Sequence, residues 1–161
     1  MNIIVEGPDH AGKSTLTRMI REVTGWPVAP REGKPETWEA TLDKAQRYLE
    51  LDEVIIDRHV IISQNVYNEG LGRKEPDIPL NLTLALEHQP NLIIYCRAIQ
   101  NGLDGHEASG GESEEHMRLL GEKYAQLVAA YDRWAILHAH IIYHKWSEAE
   151  RICRLVKGLI G

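Results

Sequence analysis

The 161-residue sequence predicts an α/β fold of three layers, with a five-stranded parallel sheet between helices. Three observations lead there. Short β-branched runs alternate with segments of helical spacing along the whole chain. The strand-like runs, "IIVE", "VIID" and "LIIY" among them, are apolar at consecutive positions, as strands covered on both faces are. The first run leads at once into "GPDHAGKS", a loop that belongs between a strand and a helix. The length suits one domain over residues 1–161, and no repeat or linker divides it.

Taken in order, Asn2 to Glu6 is the first strand, closed by the Gly7-Pro8 pair. Ser14 to Val23 is a helix, since Leu16, Met19, Ile20 and Val23 fall on one face. Gly25, Pro27 and Pro30 break the chain there, and Val28-Ala29 between them is a very short second strand. Pro35 to Leu51 reads as a helix with Pro35 in its first turn and Trp38, Leu42, Ala45 and Leu49 on one face. "EVIID", Glu53 to Asp57, is the next strand, and His59 to Asn68 is helical or irregular. Gly70 to Pro79 is a loop, Leu80 to His88 a short helix, and Asn91 to Cys96 a strand. Ala98 to Met117 holds four glycines, five acids and no Lys or Arg, so it buries little and is expected to be a mobile lid. Helical periodicity resumes from Glu114 to Leu137. "HIIYH", His140 to His144, is the last strand, and Ser147 caps a last helix through Leu159.

Composition narrows the function. Hydrophobic residues make up 43% and charged residues 26%, as in a globular protein. The net charge of −6 disfavours a nucleic-acid partner. No apolar run is long enough to span a membrane, and the N-terminus carries no signal-like region, which favours a cytoplasmic protein. Cys96 and Cys153 form no metal or disulfide framework, and Cys96 reads as a small core residue. His138, His140 and His144 form no metal site: on a strand, His140 and His144 would stand about 13 Å apart. A homodimer is left open.

In a parallel sheet of this kind, ligands gather at the C-terminal ends of the strands. "GPDHAGKS" (Gly7 to Ser14) satisfies G-x-x-x-x-G-K-[ST], the P-loop pattern. Glycines let the backbone wrap its N–H groups around phosphate oxygens, and the following helix turns its positive end to the same anion. Gly7, Ala11, Gly12, Lys13, Ser14 and Thr15 are thus the candidate ATP-phosphate site. Lys13 supplies a point charge for the β- and γ-phosphates, and the Ser14 hydroxyl a ligand for Mg²⁺. "VIIDRH" places Asp57 and Arg58 at a second strand end. Beside the first strand, Asp57 reaches the Mg²⁺ side of the site, and Arg58 can fork onto a second phosphate, as an acceptor would require.

These two stretches resemble the thymidylate kinases. "EGPDHAGKST" is similar to their E-G-x-D/E-x-A-G-K-[ST]-T loop, and "DRHVIISQNVY" to their D-R-[YH] segment with its Ser and Tyr. "NLIIYCR" resembles the fourth strand of compact, phage-type members. The close match covers some 20 residues, and the remainder agrees in layout. The resemblance implies ATP-dependent phosphoryl transfer to a nucleoside monophosphate, most like dTMP to dTDP, with Mg²⁺ as cofactor. It implies that Asp9 faces the acceptor sugar, that His10 stands near the transferring phosphate, and that Arg58 and Arg31 hold the acceptor phosphate. Asp57 becomes the metal-side acid, and Trp146, after the last strand, covers the adenine. The chain departs from the family in two ways. Its lid brings no arginine, leaving Arg97 or Arg118 at its ends to supply the charge. It contains no Phe to stack on the base, leaving Trp38 or Tyr67. Two other readings stay open: a deoxynucleoside kinase, for which the stretch after Val28 offers only Glu32 as a base, and a nucleotide-binding regulator without an acceptor.

Overall fold

A computed structural model describes residues 1–9, 11–97 and 114–161, the stretch 114–120 by its backbone alone. His10, the lid up to residue 113 and the Arg118 side chain lie outside the described residues. The strands are β1 (Ile3–Glu6), β2 (Ile55–Asp57), β3 (Leu92–Cys96) and β4 (Ile141–Tyr143). The helices are α1 (Lys13–Thr24), α2 (Trp38–Leu49), α3 (Val60–Leu71), α4 (Leu80–Glu87), α5 (Glu114–His138) and α6 (Ala149–Ile160).

The sheet is parallel, in the order β2-β1-β3-β4. Among the described residues it therefore has four strands where five were expected. Val28 and Ala29 do run beside β2, with a single parallel bridge from Val28 to Ile55. Pro27 and Pro30 flank them and have no N–H to extend the ladder. The pairing stops after the Ile55 amide donates to Pro27 and the Ala29 amide to Ile55.

Period-two alternation sorts the sheet residues between two cores. Ile3, Val5, Ile55, Ile94 and Cys96 face α1 and α6. Ile4, Ile56 and Tyr95 face the layer of α2, α3, α4 and α5. All eight are essentially without solvent exposure, so the strands are covered on both sides. α3 and α5 lie close because Gly70 has no side chain: a Cβ there would stand 3.0 Å from Leu127 Cα.

Several element ends differ from the expectation, α3 among them, which runs on to Leu71 where a loop from Gly70 was expected. α2 begins at Trp38, because Thr37 caps it by accepting the Ala40 N–H at 3.1 Å; Pro35 stands outside the helix. Glu53 is not in the strand but in a left-handed turn with φ 53°. Residues 114–117, counted with the lid, belong to α5. Ser147 sits inside a 3₁₀ turn, Trp146–Glu148, and α6 begins after it with no side-chain cap; the Glu148 carboxylate closes the start of that turn instead, accepting the N–H groups of His144 and Lys145 at 3.1 and 3.3 Å. His140 is structural, its Nδ1 accepting the Ile93 N–H at 2.9 Å, and His138 stacks on Trp134.

Candidate active site

β1 and β2 are in register from Ile3 opposite Ile55 to Val5 opposite Asp57, so both strands end at one edge of the sheet. From that edge the chain makes the P-loop on one side and the Asp57-Arg58-His59 turn on the other. Gly7 is obligatory here. Its φ is +149°, and a Cβ would fall 2.2 Å from the Cys96 carbonyl oxygen, so the loop passes directly over the end of β3. α1 starts at Lys13, its N-terminal N–H groups facing the loop. Ser14 and Thr15 follow on its first turn, Ser14 exposed and Thr15 half-buried, while Ala11 is buried.

Lys13 is buried, and its Nζ donates to the Pro8 carbonyl at 2.6 Å. Burial first, and the Arg58 guanidinium second, lower its pKa to about 8. The ammonium is thus a weakly solvated charge held at the loop by a backbone oxygen, as an anion-binding lysine needs to be.

Arg58 sits in the left-handed region with φ 67°, a conformation that costs a non-glycine residue about 1–2 kcal/mol. That backbone turns its side chain across the P-loop. Nε donates to the Gly7 carbonyl at 3.3 Å, and Nη2 to Asp9 Oδ1 at 2.7 Å. The guanidinium also lies 5.2 Å from the centre of the Tyr67 ring. Asp9 Oδ1, Arg58 and Tyr67 therefore form one group.

Glu6 was quoted in the motif and given no role; the structure places it at the centre of the site. It points to the α3–α5 side of the sheet and is fully buried. Its carboxylate accepts the His59 N–H at 2.6 Å and the Tyr131 hydroxyl at 2.9 Å. Burial raises its pKa to about 7, against the lowering pull of Arg58, Tyr131, His59 and Lys13. Tyr131 is itself fixed by stacking on Tyr95 at 5.7 Å and by the edge of Tyr67 at 6.1 Å. One helical repeat earlier on α5, the Tyr124 hydroxyl donates to the Asp9 carbonyl at 2.8 Å. These two tyrosines, seven residues apart on one helix face, tie α5 to the end of β1 and to the first half of the loop. Their spacing is visible in the sequence, though it reads equally as core.

A cleft of about 340 Å³ opens beside Arg58. Its walls carry Arg31, Lys34, Lys44, Arg58 and Arg73, against the acids Glu32 and Asp57. Arg73 also lies 5.2 Å from the centre of the Tyr67 ring, so two guanidiniums pack against it. Lys34 pairs with Glu75 at 2.6 Å, and Glu32 accepts two bonds from Arg47 at 3.1 Å. Tyr67 and Arg31 line this cleft; Trp38 does not, being packed half-buried against the core. Sequence reading missed Lys34, Lys44 and Arg73, which reach the cleft from three separate segments.

Trp146 is half exposed beside the P-loop, its ring 3.6 Å from where a Gly12 Cβ would be. Arg97 is half exposed and forks onto Asp132 of α5, Nε at 3.1 Å and Nη2 at 3.4 Å, sharing that carboxylate with the Tyr95 hydroxyl. Ser14 and Asp57 offer a hydroxyl and a carboxylate at the loop, a hard-oxygen set that suits Mg²⁺ shared with phosphates. A second, larger cavity of about 560 Å³ lies at the opposite end of the sheet, near the starts of β3 and β4, and contains none of the phosphate-site candidates.

The same architecture recurs in solved structures. The chain has the fold of a P-loop kinase. The YorR protein of Bacillus subtilis, in complex with phosphorylated GDP, superposes with a TM-score of 0.64 at 17% identity, over 99% of this chain and 95% of that one. Deoxyadenosine kinase from M. mycoides with bound dATP gives 0.53 at 19% identity, over 99% and 97%. The same enzyme with products dCMP and a flexible dCDP gives 0.55 at 17%, over 99% and 96%. No family model matches the sequence, and no curated protein does so significantly. At these identities the likeness is one of fold. Among the described residues, no helix is long and apolar enough to cross a membrane.

Proposed function

We propose that the protein transfers the γ-phosphoryl group of ATP to a nucleoside monophosphate, in the manner of a thymidylate kinase. The cationic cleft carries this reading. Five cations line it against two acids; Glu32 is matched by Arg47, Lys34 by Glu75 and Arg58 by Asp9, and the other lining charges are Arg31, Lys44 and Arg73 against Asp57. A cavity so charged suits an acceptor that is itself an anion. In this reading ATP sits on the P-loop with Lys13 at its phosphates, and Ser14 and Asp57 hold Mg²⁺, which would neutralise charge on the transferring group. The acceptor phosphate meets Arg58, with Arg31 and Arg73 nearby, and Tyr67 lines the same cleft; a base stacking on it in place of the missing Phe would displace one of the two guanidiniums now against the ring. Trp146 covers the adenine. Arg97, His10 and Arg118 remain the candidates for charge on the lid side.

One observation favours a second reading. Glu32, at the cleft wall, has both carboxylate oxygens held by one nitrogen of Arg47, an arrangement that could take a proton from a hydroxyl acceptor, as in a deoxynucleoside kinase. ATP consumption measured with nucleoside monophosphates, with deoxynucleosides and with no acceptor separates the two, and also tests a regulator that turns over nothing. Turnover that depends on a monophosphate is expected. Turnover only with a deoxynucleoside would replace the proposal by the second reading.

A further inference from the structure

We infer that Glu6 is a positioning residue for Arg58: its buried carboxylate holds the Asp57-Arg58-His59 turn in the one backbone conformation that aims the Arg58 guanidinium across the P-loop. This rests on the reading of Arg58 as the acceptor-phosphate residue.

The geometry carries the inference. Arg58 is in the left-handed region, which an arginine does not hold without restraint. Its own N–H is fixed by the Val5 carbonyl at 2.9 Å. The next N–H, that of His59, is fixed by Glu6 at 2.6 Å. Two consecutive amides are thus pinned to the last two residues of β1, one by backbone and one by side chain. The backbone contact restrains one side of Arg58 and Glu6 the other. Glu6 cannot swing away, because its second oxygen takes the Tyr131 hydroxyl, and Tyr131 is locked in an aromatic stack. With both oxygens committed and no exposure to solvent, Glu6 has no access to a bound nucleotide. It acts only through Arg58. A carboxylate buried beside Lys13 and Arg58 is costly for a protein to keep. Holding the one strained turn of the site gives it a use.

The test uses the full chain and three variants. Glu6→Ala frees the His59 amide. Glu6→Gln keeps an acceptor for it, and its amide can meet the Tyr131 hydroxyl from the donor side. Tyr131→Phe leaves the carboxylate and removes its anchor. Steady-state kinetics are expected to split. Glu6→Ala raises the acceptor KM at least about tenfold while the ATP dissociation constant moves by less than about twofold, Tyr131→Phe follows more weakly, and Glu6→Gln recovers most of the loss. The second readout needs no turnover: the Arg58 Nε–Hε resonance, assigned by its absence in Arg58→Lys, is expected to lose its protection in Glu6→Ala and keep it in Glu6→Gln. An Arg58 resonance unmoved by Glu6→Ala overturns the inference. So does a folded Glu6→Ala protein whose acceptor KM is unchanged or whose ATP affinity falls in step. A wild-type protein that turns over no monophosphate would instead overturn the proposed function, and the resonance would still decide whether Glu6 positions Arg58.

Discussion

Replacing Arg58 by alanine separates the acceptor side of the site from the donor side. The structure sets the size of each effect. Without ligand contacts, Arg58 has a bond to the Gly7 carbonyl, an ion pair with Asp9 and a face on Tyr67. The Asp9 side chain is 68% exposed, so that pair is worth about 0–1 kcal/mol. Alanine inherits the left-handed backbone and gives no relief there. The expected loss of stability is therefore about 1 kcal/mol, a shift in Tm of roughly 2–4 °C for a chain of this size. Against the acceptor the loss is larger. A guanidinium on a phosphate is a charge-assisted pair worth about 1.5–3 kcal/mol, or roughly 10- to 150-fold in kcat/KM for the monophosphate. ATP keeps Lys13 and the loop amides, and its KM should move by less than about threefold. The assay is ATP consumption with each substrate titrated at saturation of the other. Arg58→Lys restores a charge without the fork and should recover only part of the loss. If Arg58→Ala raises the ATP KM while acceptor kinetics stay as in the wild type, Arg58 belongs to the donor side and the reasoning fails.

Other outcomes follow from the same geometry. Lys13→Met should abolish turnover and yet raise Tm at pH 7, because it removes a cation that burial holds near pKa 8; calorimetry showing a lower Tm would contradict this. Glu6 has a folded pKa of about 7, above its unfolded value, so its contribution to stability is present at low pH and lost as pH rises to 7 and beyond. The stability of Glu6→Gln relative to wild type should therefore climb between pH 4.5 and 8, towards on the order of 3 kcal/mol, and denaturant melts with a pH-independent difference would refute it. Trp146→Phe should remove most of the change in tryptophan fluorescence on adding ATP if that ring covers the adenine; an undiminished change would move the adenine elsewhere.

How much the sequence disclosed depended on how far apart the partners lie. The P-loop is contiguous, and the need for Gly7, Lys13 and Ser14 can be argued from the loop alone. Asp57 and Arg58 were legible because a strand end names its own position. Glu6 was in plain view within the first motif, but its role comes from Tyr131, 125 residues further on, and from an amide whose φ no pattern reveals. Tyr124 and Tyr131 carry a helical spacing that core residues also show. The cleft cations Lys34, Lys44 and Arg73 come from a loop, a helix and a helix end, and nothing local marks them as neighbours. Pairing of the short second strand failed for a reason that was readable, since two prolines flank it. Ser147 caps nothing because it falls inside a 3₁₀ turn, and α6 follows that turn without a side-chain cap.

Both cations at the centre of the site are held by oxygens of the loop itself, Lys13 by the Pro8 carbonyl and Arg58 by Asp9 and the Gly7 carbonyl. This does not work against substrate binding. A carbonyl is a neutral acceptor, and Asp9 is largely in water, so each contact is weak beside a phosphate oxygen. The contacts are strong enough to orient and weak enough to yield or to be shared. Asp9 then does two things at once. Its carboxylate keeps Arg58 over the loop, and its backbone carbonyl, through Tyr124, keeps the loop against α5. An Asn at position 9 would keep the second contact and weaken the first, so the two can be separated by one oxygen-to-nitrogen exchange. The orientation of Arg58 would then rest on Glu6, the Gly7 carbonyl and the Tyr67 ring, and the effect of Glu6→Ala should be larger in that background than in the wild type, an interaction a double-mutant cycle reads directly.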